Sequence, residues 1–214
     1  MSPRKTIFAA AAAVLLTGAR AFSALLVGDV NAMTGFNGTV NFDAVQVPFT
    51  MKAEVDYAVY APGQFNASFP GGDPSAGARF VYAYRVHNTG TSTLSTERNP
   101  GFFSVGFDPG DAAQDIGFLD LNVGSDPNPA EFIPVGGGPN YTSATWNFNP
   151  VIPKASYSEV LIFTSKNGPQ MDDASVQGGV SAQRLLPSPV PEPGTALAAC
   201  GMAVALLMRR RASK

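Results

Sequence analysis

Phe80-Val81-Tyr82-Ala83-Tyr84-Arg85-Val86-His87 is the stretch that decides the fold class. Phe80, Tyr82, Tyr84 and Val86 fall on one face of an extended chain, with Arg85 and His87 on the other, as in a half-buried strand. The same period of two runs through Glu54–Tyr60, where Val55, Tyr57 and Val59 oppose Glu54 and Asp56. It recurs where Leu119, Leu121 and Val123 alternate with Asp120 and Asn122, and where Trp146 and Phe148 alternate with Thr145, Asn147 and Asn149. Further strands are expected at Leu25–Val30, Thr39–Val45, Phe102–Phe107 and Glu159–Thr164. In the last of these, the unbroken run Val160-Leu161-Ile162-Phe163 suits a strand buried on both faces.

Composition agrees with this reading. Charged residues are 14% of the chain, and 22 glycines and 18 prolines stand among 214 residues, against about 25% charged residues in an average domain. Turns are marked by Pro70-Gly71-Gly72-Asp73-Pro74, Asn88-Thr89-Gly90, Pro109-Gly110-Asp111, Pro127-Asn128-Pro129 and Gly136-Gly137-Gly138-Pro139. No amphipathic helix of ten residues and no fixed repeat emerges between residues 22 and 186. Short strands separated by such turns predict an all-β fold, a single antiparallel β-sandwich or jelly-roll-like domain over residues 22–186.

The two ends have a different character. Arg4 and Lys5, the apolar stretch Ile7–Gly18 and the A-x-A site Ala19-Arg20-Ala21 form a signal peptide over residues 1–21. Cleavage is expected after Ala21, with Ala19 as the alternative. At the other end stands Val190-Pro191-Glu192-Pro193, inside a proline-rich spacer expected over residues 187–194. Two prolines flanking one carboxylate fix φ twice and favour an extended segment that loses little entropy on docking. Thr195–Met208 is an apolar run of 14 residues, about 21 Å as a helix and short for a hydrocarbon core of about 30 Å. Arg209, Arg210 and Arg211 follow as a basic stop, and residues 209–214 are expected to form a cytoplasmic tail.

Motif, apolar run and arginines in that order resemble the PEP-CTERM sorting signal of Gram-negative and related bacteria. The resemblance covers Val190 to Arg211; an ordinary C-terminal anchor behind a proline-rich linker is the plainer reading. The resemblance implies recognition by exosortase, a membrane-embedded processing enzyme, and coexistence with exopolysaccharide production and biofilm formation. Within the body, Tyr82–Gly90 and the stretches Leu161–Ser165 and Leu185-Leu186-Pro187 also resemble β-rich members of that family, without implying an activity. The expected partners are signal peptidase and exosortase during processing, extracellular polysaccharide afterwards, and the membrane through the C-terminal helix before processing. The expected location is the inner membrane as a precursor, then the cell surface or extracellular space.

Residues 22–193 hold all sixteen acidic residues, the motif's Glu192 included, but only seven basic ones: Lys52, Arg79, Arg85, Arg98, Lys154, Lys166 and Arg184. Such an acidic body argues against nucleic acid or anionic lipid as a partner, since phosphate binding needs clustered Lys and Arg. Cys200, the only cysteine, sits in the apolar tail run, so the body has no disulfide. His87 is the only histidine, which removes His-rich zinc sites and Cys–His nucleophile pairs. It reads as an exposed strand histidine beside a turn. No G-x-S-x-G elbow or phosphate-binding loop appears.

Asp108, Asp111 and Asp115, with Asp120 and Asp126, form an oxygen-rich stretch of the type that can hold Ca²⁺, or equally a set of solvated turn aspartates. No cofactor and no catalytic residue is assigned. Three function classes follow. The first is a non-enzymatic surface or matrix protein. The second is a secreted carbohydrate-binding module, for which Tyr57, Tyr60, Tyr82, Tyr84 and Trp146 would stack on sugars if exposed. The third is a secreted hydrolase using a carboxylate pair.

Overall fold

The alternating stretches become β4 (Ala53–Tyr60) and β5 (Phe80–Asn88), paired antiparallel with Val55 opposite Val86 and Tyr57 opposite Tyr84. The computed structural model describes residues 26–107, 113–122, 124–134 and 141–189. Within them the chain is mostly β-strand in antiparallel sheets, the all-β class the periodicity predicts. The hairpin is extended by β1 (Asn37–Asn41) on β4, and by β12 (Val160–Ser165) and then β8 (Ala113–Leu119) beyond β5. The short β11 (Ser156–Tyr157) also pairs with β5. A second sheet runs β14 (Ser181–Pro189), β13 (Pro169–Gln177), β7 (Phe102–Gly106), β10 (Tyr141–Phe148) and β9 (Pro127–Pro134). A small third sheet joins β2 (Ala44–Gln46), β3 (Phe49–Met51) and β6 (Glu97–Arg98), with β3 and β6 parallel.

The two large sheets share one core. Val55, Tyr82, Tyr84, Leu161 and Phe163 from the first meet Phe103, Val105, Trp146, Val176 and Leu186 from the second. Three hydrogen bonds tie the aromatic rings to backbone across this core. Trp146 Nε1 donates to the Gly117 carbonyl at 2.8 Å, Tyr82 to the Asn167 carbonyl at 2.8 Å, and Tyr84 to the Pro187 carbonyl. A buried N–H or hydroxyl left unpaired costs about 1–3 kcal/mol, so these bonds fix which strand lies over which.

The outer face of the first sheet also carries a buried apolar cluster. Ala58, Tyr60, Val81, Ala83, Val160 and Ile162 are covered by Leu26 and by Phe65 and Phe69 of α1 (Phe65–Ser68) and its flank. This second layer is why every residue of β12 is buried, as its unbroken apolar run predicts.

Four expectations need correction. Leu26–Val30 is a turn, not a strand: Gly28 has φ +78° and Leu26 tucks under the outer layer while Val30 is 93% exposed. The strand expected around Leu119–Val123 ends at Leu119, because Asn122 has φ +56° and the Leu121 and Gly124 N–H groups bond a side chain instead of a neighbouring strand. Pro127-Asn128-Pro129, expected to be a loop, opens β9. That strand is the free edge of its sheet, where a proline forfeits no ladder bond and blocks pairing with another chain. Pro187–Pro189, assigned to the spacer, complete the opposite edge strand, with Pro187, Ser188 and Pro189 opposite Met171, Gln170 and Pro169. The folded body therefore reaches Pro189.

Among the described residues no helix is long and apolar enough to cross a membrane. The signal peptide over residues 1–21, Val190–Pro193, the apolar run 195–208 and Arg209–Arg211 lie outside the described residues.

Candidate functional site

The aspartate-rich stretch divides in the fold. Asp108 and Asp111 lie outside the described residues. Asp115, at φ +54°, accepts a salt bridge from Arg79 at 2.8 Å and the Thr164 hydroxyl proton at 2.7 Å. Its charge is spent on pinning the β8 edge to β12 and the loop before β5. Asp120 and Asp126 do converge, and the third member of their group is Glu159, with carboxylate oxygens of the three within 4.8 Å of one another.

Glu159 makes this arrangement. It stands fully buried just before β12, and its two oxygens accept the Leu121 N–H at 3.0 Å and the Gly124 N–H at 2.7 Å. A carboxylate taking two backbone donors folds the 120–126 loop around itself. Gly124 is obligatory there: a Cβ would stand 2.3 Å from the Ser158 backbone. The closure is completed by Ser125 N–H to the Tyr157 carbonyl at 2.8 Å and Glu159 N–H to the Ser125 carbonyl at 3.0 Å.

On the β5 side, Arg85 is only 4% exposed and donates from Nε to the Ser158 carbonyl at 3.2 Å. Burial lowers its pKa, partly offset by Tyr157, Glu159 and Asp56; guanidinium remains charged regardless. Its Cζ lies 4.2 Å from the centre of the Tyr157 ring, on which His87 also stacks at 3.9 Å. The His87 Nδ1 to Glu54 carboxylate distance of 3.9 Å is too long for a hydrogen bond.

Chemically, the trio offers hard oxygen ligands, with Asp120 and Asp126 exposed and Glu159 held rigid. The arrangement suits either of two tasks, loop closure or a cation. Glu159 is already engaged by two backbone donors, which is a complete structural role. Sequence reasoning grouped Asp120 with Asp126 but missed Glu159, which is 33 or more positions away along the chain. The signal for it was an acid abutting the apolar run Val160–Phe163, a place where a charge must find partners.

The aromatic residues considered for sugar stacking are turned inward. Tyr60, Tyr82, Tyr84 and Trp146 are fully buried, and Tyr57 packs partly buried against the core. Burial drives the Tyr84 phenol pKa well up; burial and the bond to Asp29 do the same to Tyr60. These rings form no platform for a sugar. The chain matches no protein-family model, no curated protein and no solved structure.

Proposed function

We propose that this chain is an exported, non-enzymatic surface or extracellular-matrix protein, sorted through a PEP-CTERM signal by exosortase and associated with exopolysaccharide. The observation that carries this reading is the order Val190-Pro191-Glu192-Pro193, apolar Thr195–Met208, Arg209-Arg210-Arg211. A signal peptide over residues 1–21 supplies export, and signal peptidase and exosortase are the processing partners.

The body supports this reading in two ways. The paired sheets, read as a β-sandwich with jelly-roll-like crossovers, close both edges of the second sheet with prolines. That protection suits a domain held at high local density outside the cell. β14 ends at Pro189 and the motif begins at the next residue. Docking the motif at a membrane enzyme therefore brings the β13–β14 end of the body to the membrane surface. The carbohydrate-binding alternative loses its aromatic strip, since those rings are core.

The test is fractionation of cells carrying Pro191→Ala with Pro193→Ala. The sorting reading predicts accumulation of unprocessed precursor in the membrane fraction. Normal release of this variant to the surface or medium would refute it.

A further inference from the structure

Away from the carboxylate loop, at the end of the second sheet, a groove of about 620 Å³ opens between β6, the start of β7 and the β13–β14 turn. This lies inside the range of roughly 300–1,000 Å³ typical of ligand pockets. Three glycines, Gly101, Gly178 and Gly179, are among its lining residues. Gly178 has no room for a side chain, since a Cβ would stand 2.1 Å from the Asn99 carbonyl oxygen, and Gly101 has Val151 at 3.0 Å. The walls carry Phe102, partly exposed, and Val151, 43% exposed, together with the polar side chains of Arg98, Asn99 and Gln177.

The charged residues that line this groove are Arg98 and Glu97. Two further basic residues act on Glu97 without lining the groove. Lys154 bridges to Glu97 at 3.1 Å, Lys52 is close enough to act on the same carboxylate, and Arg98 lines the groove. Glu97 is the one acid among the lining residues, with a side chain 7% exposed. Burial pushes its carboxyl up. Hydrogen bonds from Lys154 and the Ser92 N–H, with the charges of Lys154 and Lys52, outweigh that and hold it below the ordinary value. With Glu97 held by Lys154 and Lys52, Arg98 is the cation that the groove can offer a ligand. Among the described residues Arg98 has no carboxylate partner; its guanidinium lies 4.1 Å from the centre of the Phe49 ring, which fixes its direction.

The backbone lining the groove is already spent. The Gly101 N–H donates to the Gln177 carbonyl at 2.8 Å, the Gly101 carbonyl accepts from Phe148 at 2.9 Å, and the Gly178 N–H donates to Val180 at 2.9 Å. With the Gly101 and Gly178 groups engaged, recognition is argued from the side chains. Asn99 Oδ1 accepts from Asn88 Nδ2 at 3.1 Å and Gln177 Nε2 donates to Ser175 Oγ at 3.4 Å, which leaves the Asn99 Nδ2 and Gln177 Oε1 ends toward a ligand. With a partly exposed aromatic ring and the Arg98 guanidinium, these suit a pyranose ring bearing hydroxyls and a carboxylate. We propose that this groove binds acidic polysaccharide through its uronate units, with Arg98 taking the sugar carboxylate, Phe102 the ring face, and Gln177 and Asn99 the hydroxyls. The site is read from the fold; that its partner is an extracellular polysaccharide rests on the export reading above.

The experiment is titration of the purified full-length protein with a galacturonate oligomer, with neutral dextran and polyglutamate as comparisons. The oligomer is expected to bind, more weakly as salt rises. Arg98→Gln should weaken it about tenfold or more, the usual weight of a hydrogen bond to a charged group. Because Arg98 also packs on Phe49, Gln177→Glu at the exposed rim provides a second variant that leaves that packing alone and should weaken binding to a similar degree. Equal binding of dextran, equal binding of polyglutamate, or unchanged affinity in Gln177→Glu would each overturn the proposal. All are read in solution and are indifferent to the fate of the C-terminal motif, so failure here and failure of the sorting reading are separate results.

Discussion

Trp146→Ala tests the packing on which the two-sheet arrangement depends. Trp146 is the only tryptophan and is fully buried, its ring centre 5.6 Å from Phe103, 6.2 Å from Tyr84 and 6.3 Å from Phe163. It reaches from β10 across the core to the Gly117 carbonyl of β8. Burying about 200 Å² of aromatic surface at about 25 cal/mol per Å² is worth about 5 kcal/mol. Truncations of buried Trp to Ala cost about 3–5 kcal/mol, cavity included. At about 2–4 °C per kcal/mol for a domain of this size, the melting temperature should fall by about 6–20 °C. Trp146→Phe keeps most of the ring and leaves the Gly117 carbonyl unpaired, so it should cost about 1–3 kcal/mol. The assay is urea and thermal unfolding followed by circular dichroism, with wild-type fluorescence showing a quencher-shielded indole. A cost below about 1 kcal/mol for Trp146→Ala, or free access of quencher to the indole, would refute the shared core.

Three other perturbations follow from named contacts. Glu159→Gln turns one acceptor toward the loop into a donor and removes a counter-charge from Arg85. It should cost about 2–4 kcal/mol and expose the Leu121 and Gly124 amides to hydrogen exchange; unchanged protection would deny Glu159 its role in the loop. Ser188 Oγ is buried without a hydrogen-bond partner among the described residues, so Ser188→Ala should be neutral or stabilising by up to about 1 kcal/mol, and a clear loss in unfolding midpoint would show a missed partner. The lowered Glu97 pKa contributes stability that is present above the ordinary glutamate range and is lost as pH falls through the folded value. Glu97→Gln should flatten that acid limb of the stability curve, and an unchanged acid limb would contradict the Lys154–Glu97 contact.

Strand content was legible because burial alternates with the pleat. Ala53–Tyr60 and Phe80–Asn88 show the alternation of the main core, although Ala58, Tyr60, Val81 and Ala83 on their other face meet the outer layer; β12 is buried throughout, which shows as an unbroken apolar run. The second apolar layer was less legible, since it is assembled from Leu26, Phe65 and Phe69 in turns that carry no period. The prolines of β9 and β14 read as loops because a single sequence does not show which strand will be an edge. Glu159 and Arg98 escaped for a common reason. Each becomes a site only when segments far apart in sequence meet: Glu159 with the 120–126 loop, and Arg98 with Phe102, Val151 and Gln177. His87 reads as an exposed strand histidine beside a turn; it is only partly exposed, because its ring stacks on Tyr157.

The central claim, that Val190–Pro193 directs processing of an exported body, is tested most directly by the intact mass of the mature protein recovered from the cell surface or medium. The account predicts a chain that begins at Phe22, or at Arg20 if cleavage follows Ala19, and lacks Leu206–Lys214. A mature protein that keeps Arg209, Arg210 and Arg211 at full stoichiometry would contradict it and leave a plain membrane anchor.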